Sequence, residues 1–262
     1  MQDILKVEKN TDSIIRLILN DEKSANSLSD EMISLMSSRL EEISNNEDIK
    51  VVVIASTGKI FCAGHNLKEM TEARQNNDEG KSYFTNLFQS CSDMMQSIVN
   101  CPKPVIAEID GIATAAGCQL VASCDLAIAS DTSSFATPGV NLGLFCSTPM
   151  VALSRNVKKK DAMKMLLTGE MIDAEEAKRI SLINDYFVSE KLSVEVMNLA
   201  KKIASKSMKT VNIGKSAFYK QAELSLSDAY RYTSEVMAKN IMNDDAKEGI
   251  ASFIEKRDPN WD

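Results

Sequence analysis

Two short runs of β-branched and aliphatic residues, "IIRLIL" at 14–19 and "VVVIA" at 51–55, bracket a stretch with helical periodicity, and that order leaves few folds open. Neither run alternates apolar with polar residues along its whole length, so each reads as a strand covered on both faces. Between them Met32, Leu35, Met36, Leu40 and Ile43 recur at helical spacing behind "SLSDE", which offers a serine cap and first-turn acids. A strand, a helix and a second strand of this kind predict a parallel pair joined by a right-handed crossover.

The alternation repeats. Residues 104–109 read as a strand, 115–124 as a short helix and 126–129 as another strand. Beyond Asp161 the pattern turns helical, with a stop at Gly169 and a restart at "DAEE", where Asp173 and Glu176 have capping-box spacing. From Leu192 to Lys256 nearly everything is helical. The chain therefore divides into an α/β core, 1–195, and a C-terminal helical region, 196–262. The polar stretch "EMTEARQNNDEGK", 69–81, reads as a long mobile loop beside a site.

Composition excludes several classes of function. A net charge of −7 and a pI near 5.0 argue against a nucleic-acid surface. The one basic run, Lys158 to Lys160, fits a solvated helix entrance. No apolar run approaches the roughly 20 residues that span a bilayer. Met1 to Asn10 has neither the apolar core of a signal peptide nor the Arg-rich character of a transit peptide, which predicts a cytosolic location. A mitochondrial location is the alternative only if a presequence has been removed. The six cysteines lack CxxC pairing and read as buried thiols of a reducing compartment. There is a single histidine, His65, so a histidine-rich metal site or a serine–histidine pair would have to be built around that one imidazole, and neither is expected.

Two turns then stand out. "IFCAGHNLKEM", 60–70, follows the strand at 51–55, and "GIATAAGCQLVASCD", 111–125, follows the strand at 104–109. In a parallel sheet both belong at the carboxyl ends of strands, where ligands bind. Gly64, Gly111, Ala113, Ala115, Ala116 and Gly117 remove side-chain bulk where something approaches the backbone. A helix starting near Ala115 or Ala116 would aim free N–H groups and the positive end of its dipole at that visitor. One N–H from each turn would then hold a developing oxyanion. Tight packing of a helix on a sheet is the competing explanation for either turn alone.

"FCAGHNLKEM", "GIATAAGCQLVASCDLAIAS", "FATPGVNLG", "LLTGEMIDAEEAKRISLIN" and "EGIASFIEKRDPNW" together resemble, in order and over nearly the whole chain, the crotonase (enoyl-CoA hydratase/isomerase) superfamily. The resemblance implies a ClpP-like spiral of ββα units with a C-terminal helical trimerisation region, assembled as a homotrimer or a dimer of trimers. It implies an acyl-CoA thioester as ligand, in the setting of fatty-acid metabolism. No metal and no redox cofactor are implied, because CoA arrives as part of the substrate. The enolate-stabilising N–H groups fall at His65 and Ala116. Lys23, Ser24 and Ala25 match the segment at the nucleotide end of CoA, and Ala63, Asn66, Leu67 and Lys68 the segment lining adenine and pantetheine. Lys68 reads equally well as a surface lysine. Phe253 and Lys256 match positions that contribute to a neighbouring subunit's site, with plain interface packing the alternative for Phe253.

The sequence departs from the family where hydration needs two glutamates, which stand as Gln119 and Gly139 here. An amide takes up no proton near neutral pH, and glycine offers no side chain. Glu69 and Glu72 lie near the first turn as remote substitutes. Asp125 and Asp131 flank a strand and read as turn caps, and Cys118 and Cys146 as structural thiols. The expectation is an acyl-CoA-binding protein with weak or absent hydratase activity. Three alternatives are a true hydratase/isomerase using another carboxylate, a malonyl-type-CoA decarboxylase, and a binder without chemistry. Decarboxylation needs no base, but the tyrosine such enzymes carry after "NLG" is missing; Phe145 and Cys146 follow Leu144 instead.

Overall fold

The apolar runs become neighbouring strands of one sheet because each has a hydrophobic layer on both sides. The computed structural model describes residues 3–10 and 12–261. The chain winds through successive ββα units: β1 (Leu5–Lys9), β2 (Ile14–Leu19) and α1 (Asp30–Ser44), then β3 (Val51–Ser56), β4 (Ile60–Cys62), α2 (Leu67–Ala73) and α3 (Lys81–Asn100). A third unit comprises β5 (Val105–Ile109), β6 (Ile112–Thr114) and α4 (Ala116–Ser123). The fourth holds β7 (Leu126–Ser130), β8 (Ser134–Ala136), a 3-10 turn (Pro138–Leu142) and α5 (Pro149–Asn156). Next come α6 (Lys159–Thr168), β9 (Ile172–Asp173), α7 (Ala174–Arg179), β10 (Asp185–Phe187) and four helices, α8 (Ser189–Ala204), α9 (Met208–Ala222), α10 (Leu226–Asn240) and α11 (Asp244–Glu255).

The first strand of each unit joins a six-stranded sheet ordered β1-β2-β3-β5-β7-β10, in which β1 is included as an antiparallel edge. The parallel pair expected from the sequence runs from Ile14 opposite Val51 to Leu19 opposite Ser56. Leu17, Leu19, Val52 and Ile54 face the core shared with Met32, Met36, Leu40 and Met94 of α1 and α3. The opposite face presents Ile14, Val51, Val53 and Ile106 to Leu192, Val196 and Ala200 of α8. Position 195 thus falls inside a helix that covers the main sheet.

β2, the second strand of the first unit, also stays in the six-stranded sheet, whereas the second strands of the next three units, β4, β6 and β8, form a small sheet that β9 extends as an antiparallel edge. Its members have only two or three residues each, too few to show periodicity in the sequence. Caps follow the residues that suggested them. Ser29 accepts from Met32 N at 3.2 Å, Asp173 accepts from Glu176 N at 2.8 Å, and Gly169 closes α6 in the left-handed region at φ 63°.

Two expectations are corrected. Residues 69–81 are not one loop: α2 occupies the stretch through Ala73, started by Asn66, whose side chain accepts from Lys68 N at 3.0 Å. Only a short turn then precedes α3. Asp125 does more than cap a turn. It accepts from Val105 N at 2.7 Å, from Tyr219 Oη at 2.8 Å and from Lys215 Nζ at 2.6 Å. Lys215 also donates to the carbonyls of Ile98 and Lys103, so this buried cluster ties α9 to the core.

Candidate functional site

β4 and β6 run parallel, with Ile60 opposite Ile112 and Cys62 opposite Ala113, and both turns leave the small sheet at the same edge. There the backbones touch. A Cβ on Gly117 would lie 2.1 Å from the Cys62 carbonyl oxygen, so no side chain fits there. Gly64 adopts φ +94°, and its Cβ position is 3.2 Å from Ala116 N and 3.0 Å from the Ala115 methyl. His65 and Ala116, the two residues singled out in the sequence, are therefore neighbours across this contact. Thr114 Oγ1 fixes the arrangement by donating to the Ala63 carbonyl at 3.1 Å.

Ala115 makes the transition from strand to helix in a single residue. Its N–H still belongs to the small sheet, donating to Ala136 O at 3.0 Å, while its φ of 51° and ψ of −118° turn the chain sharply into α4. That conformation is the first corner of a II′ turn, usually occupied by glycine, and a non-glycine residue in so sparsely populated a region stores about 1–3 kcal/mol. Ala116 is the first residue of α4. Among the described residues neither Ala116 N nor His65 N donates to a protein acceptor. The N–H of Ala116 also sits at the positive end of the helix dipole.

The His65 ring packs edge-on against Phe88, with centroids 5.4 Å apart, and Phe88 stacks in turn on Phe84. Both ring nitrogens are buried without a hydrogen-bond partner. Burial holds the imidazole pKa below its ordinary value, which keeps the ring neutral at pH 7. The 23–28 segment lies alongside: Ala63 N donates to Ala25 O at 3.1 Å and Leu28 N to Gly64 O at 2.7 Å. Lys23, Ser24 and Ala25 thus flank the strip formed by Ala63, Asn66, Leu67 and Lys68, of which Lys23, Leu67 and Lys68 are exposed. Phe253 and Lys256 lie apart from this cluster within one chain; α11 packs on α9, and Phe253 is 85% exposed.

Gln119 is buried in the first turn of α4, and neither end of its amide finds a partner among the described residues. Gly139 sits in the 3-10 turn after β8, where a Cβ would meet the Leu144 carbonyl oxygen at 2.7 Å and Cys146 Sγ at 2.8 Å. Cys118 and Cys146 are both buried; burial pushes the Cys118 thiol up to about 12 and raises that of Cys146. Inert thiols result. Glu69 is occupied elsewhere, since its Oε2 accepts from Asp30 N at 3.1 Å at the start of α1. Burial and the adjoining Asp30 and Glu72 charges raise its pKa. Glu72 and Asp131 are exposed. Thr137, directly after β8, is wholly buried with an unpartnered Oγ1 and carried no signal in the sequence. Among the described residues no group of His, Cys, Asp and Glu could hold a metal ion, and no helix is long and apolar enough to cross a membrane.

The enoyl-CoA hydratase/isomerase profile matches residues 9–262, so the chain, a spiral of ββα units, belongs to that family. Within it, the chain is similar to enoyl-CoA hydratase domain-containing protein 3, mitochondrial. The rat protein is 49% identical over 250 residues, covering 95% of this chain and 82% of the relative, and the human protein is 47% identical over 250 residues, covering 95% and 81%. The crystal structure of the human protein superposes with a TM-score of 0.93 at 45% identity, covering 99% of this chain and all of that one. An enoyl-CoA hydratase structure from Mycobacterium smegmatis gives 0.95 at 42% identity and 99% coverage of both chains.

Proposed function

We propose that this chain binds acyl-CoA thioesters and steadies enolate charge on the thioester oxygen through the N–H groups of His65 and Ala116, with conventional enoyl-CoA hydration weak or absent. Membership of the family supports the ligand class. Two unengaged donors, one at a helix N-terminus, support the role, and a single donor of this kind is worth about 3–4 kcal/mol to a reaction that develops an oxyanion. CoA would lie along Lys23, Ser24, Ala25, Ala63, Asn66, Leu67 and Lys68. The exposed apolar residues of α10 and α11, among them Leu226, Tyr230, Phe253 and Ile254, suit burial between copies in a trimer or dimer of trimers. Phe253 and Lys256 would then reach a neighbouring site. Because the rat and human relatives are mitochondrial by name, we extend that location to this chain in preference to the cytosol.

One observation carries the statement about activity. Hydration requires groups that deliver and remove protons, each contributing about 10²–10⁴-fold. Gln119 has no titratable proton, and at position 139 the Leu144 carbonyl and Cys146 thiol fill the space a carboxylate side chain would enter. Glu69, the alternative carboxylate just after the first turn, is engaged at the start of α1. The test pairs calorimetric binding of butyryl-CoA with hydration of crotonyl-CoA, followed as loss of enoyl absorbance. Binding with almost no turnover is expected. Hydration at about 10 per second, an ordinary enzyme rate, would overturn this reading and direct attention to a carboxylate outside the two family positions.

A further inference from the structure

The two donors of the site are held in place by different means. Ala116 inherits its direction from the Ala115 corner, whose N–H is fixed on Ala136 O. His65 lies between β4 and α2 and belongs to neither. It is steadied by the adjoining segment 28–30, which ties down the chain on both sides of it. Ahead of it, Leu28 N donates to Gly64 O at 2.7 Å, and Leu28 pairs with His65 as an isolated parallel bridge. Beyond it, Asp30 N, the first N–H of α1, donates to Glu69 Oε2 at 3.1 Å. Glu69 occupies the first turn of α2, three residues after the Asn66 cap, a place from which a glutamate ordinarily reaches back to the cap of its own helix. Here it serves another helix. Its negative charge lies at the positive end of the α1 dipole, next to the Ser29 cap that accepts from Met32 N. Tyr83 of α3 completes the joint, its Oη donating to Asp30 Oδ1 at 3.4 Å.

Resting on the thioester-binding reading above, we propose that Glu69 is a positioning residue: by holding the Asp30 N–H it clamps the start of α2 against α1 and fixes the direction of the His65 N–H. The carboxylate works through the backbone and touches neither the thioester nor the reacting atoms. Asn66 opens α2 directly after His65, so any rotation of this helix carries the His65 peptide with it. With seven residues, α2 is too short to hold its shape alone in water and depends on ties to its neighbours. A group misplaced by about 1 Å costs a reaction that relies on it about 10²-fold. One tie at this end of the site therefore has leverage over the donor it steadies.

A conjugated thioester, 2,4-hexadienoyl-CoA, reads the donors directly on the intact protein, because hydrogen bonds that polarise its carbonyl move its absorption to longer wavelength. At saturation the shift reports polarisation and not occupancy. The native protein should show the shift, and Glu69→Ala should lose at least half of it, while Glu69→Gln, whose amide oxygen still accepts, should keep it. Asp30→Pro removes the donor from the other side of the clamp at the first position of α1, where proline is well tolerated behind the extended Ser29. It should match Glu69→Ala, and Asp30→Ala, which retains the N–H, should match the native protein. Because His65 is the only histidine, protein labelled with nitrogen-15 histidine gives one backbone amide signal, which should move on thioester binding and move less in the two clamp-breaking variants. A melting curve establishes that each variant is folded, and either clamp-breaking variant alone suffices for the test. The full shift in a folded Glu69→Ala or Asp30→Pro protein would overturn the proposal, as would equal losses in Asp30→Ala and Asp30→Pro. Failure of the folded native protein to bind the thioester, or binding without a shift, would instead remove the reading on which the proposal rests.

Discussion

Replacing Ala115 by glycine should stabilise the protein, although alanine to glycine beside a helix normally does the opposite. Ala115 sits at φ 51° and ψ −118° immediately before α4, a conformation glycine reaches freely. Relief of that strain is worth about 1–3 kcal/mol. Against it stand the extra backbone freedom of glycine in the unfolded chain, roughly 0.5–1 kcal/mol, and the loss of one half-buried methyl packed on the core, below about 0.8 kcal/mol. Taking the middle of each range, Ala115→Gly gains roughly 1 kcal/mol. For a chain of this size that raises Tm by about 2–4 °C, read by calorimetric melting of both proteins at one concentration and pH. A Tm lowered by a few degrees would show that residue 115 is unstrained and that the sharp entry into α4 needs no compensation. The same variant should weaken thioester binding if that corner is what fixes the direction of the Ala116 N–H.

Two further outcomes follow from buried charge. As the only histidine, His65 gives one imidazole signal in a proton NMR titration, and burial should place its midpoint below the unperturbed value of about 6.5. The unfolded chain takes up its proton first as pH falls, so this contribution to stability is complete above about pH 6.5 and lost as pH drops toward the folded midpoint; a midpoint at or above 6.5 would refute the desolvated ring. Lys215→Met leaves Asp125 buried without its cation, at a cost of about 3–5 kcal/mol, and should lower Tm by roughly 6–20 °C. Lys215→Met combined with Asp125→Asn should recover part of the loss, and an unchanged Tm in the single variant would mean that the pair contributes nothing.

The main sheet was legible because its strands are buried on both faces, so Val51–Ser56 and Ile14–Leu19 show as unbroken apolar runs. The small sheet was not, since three residues such as Ile112–Thr114 define no period. The helix after the first turn announced itself weakly, through Asn66 as a cap and Glu69 in the first turn, and the polar run beyond it masked both. Of the site, the small residues at 63–66 and 113–117 pointed to one another, because only a backbone contact explains them on two successive turns. Relations across space left no such trace. The hold of Lys215 on Asp125 spans 90 residues, and neither the unpaired state of Thr137 nor the crowding at Gly139 has a local signature.

That crowding has a bearing on how the protein could change. Position 139 tolerates no side chain until the Leu144 carbonyl and the Cys146 sulfur have moved aside. A mutation that brought a carboxylate to this point would arrive in a molecule unable to hold it, and a mutation that cleared the way first would gain nothing by itself. The turn from Gly139 to Cys146 therefore works as a ratchet: passage in one direction takes a single step, and return demands at least two made together.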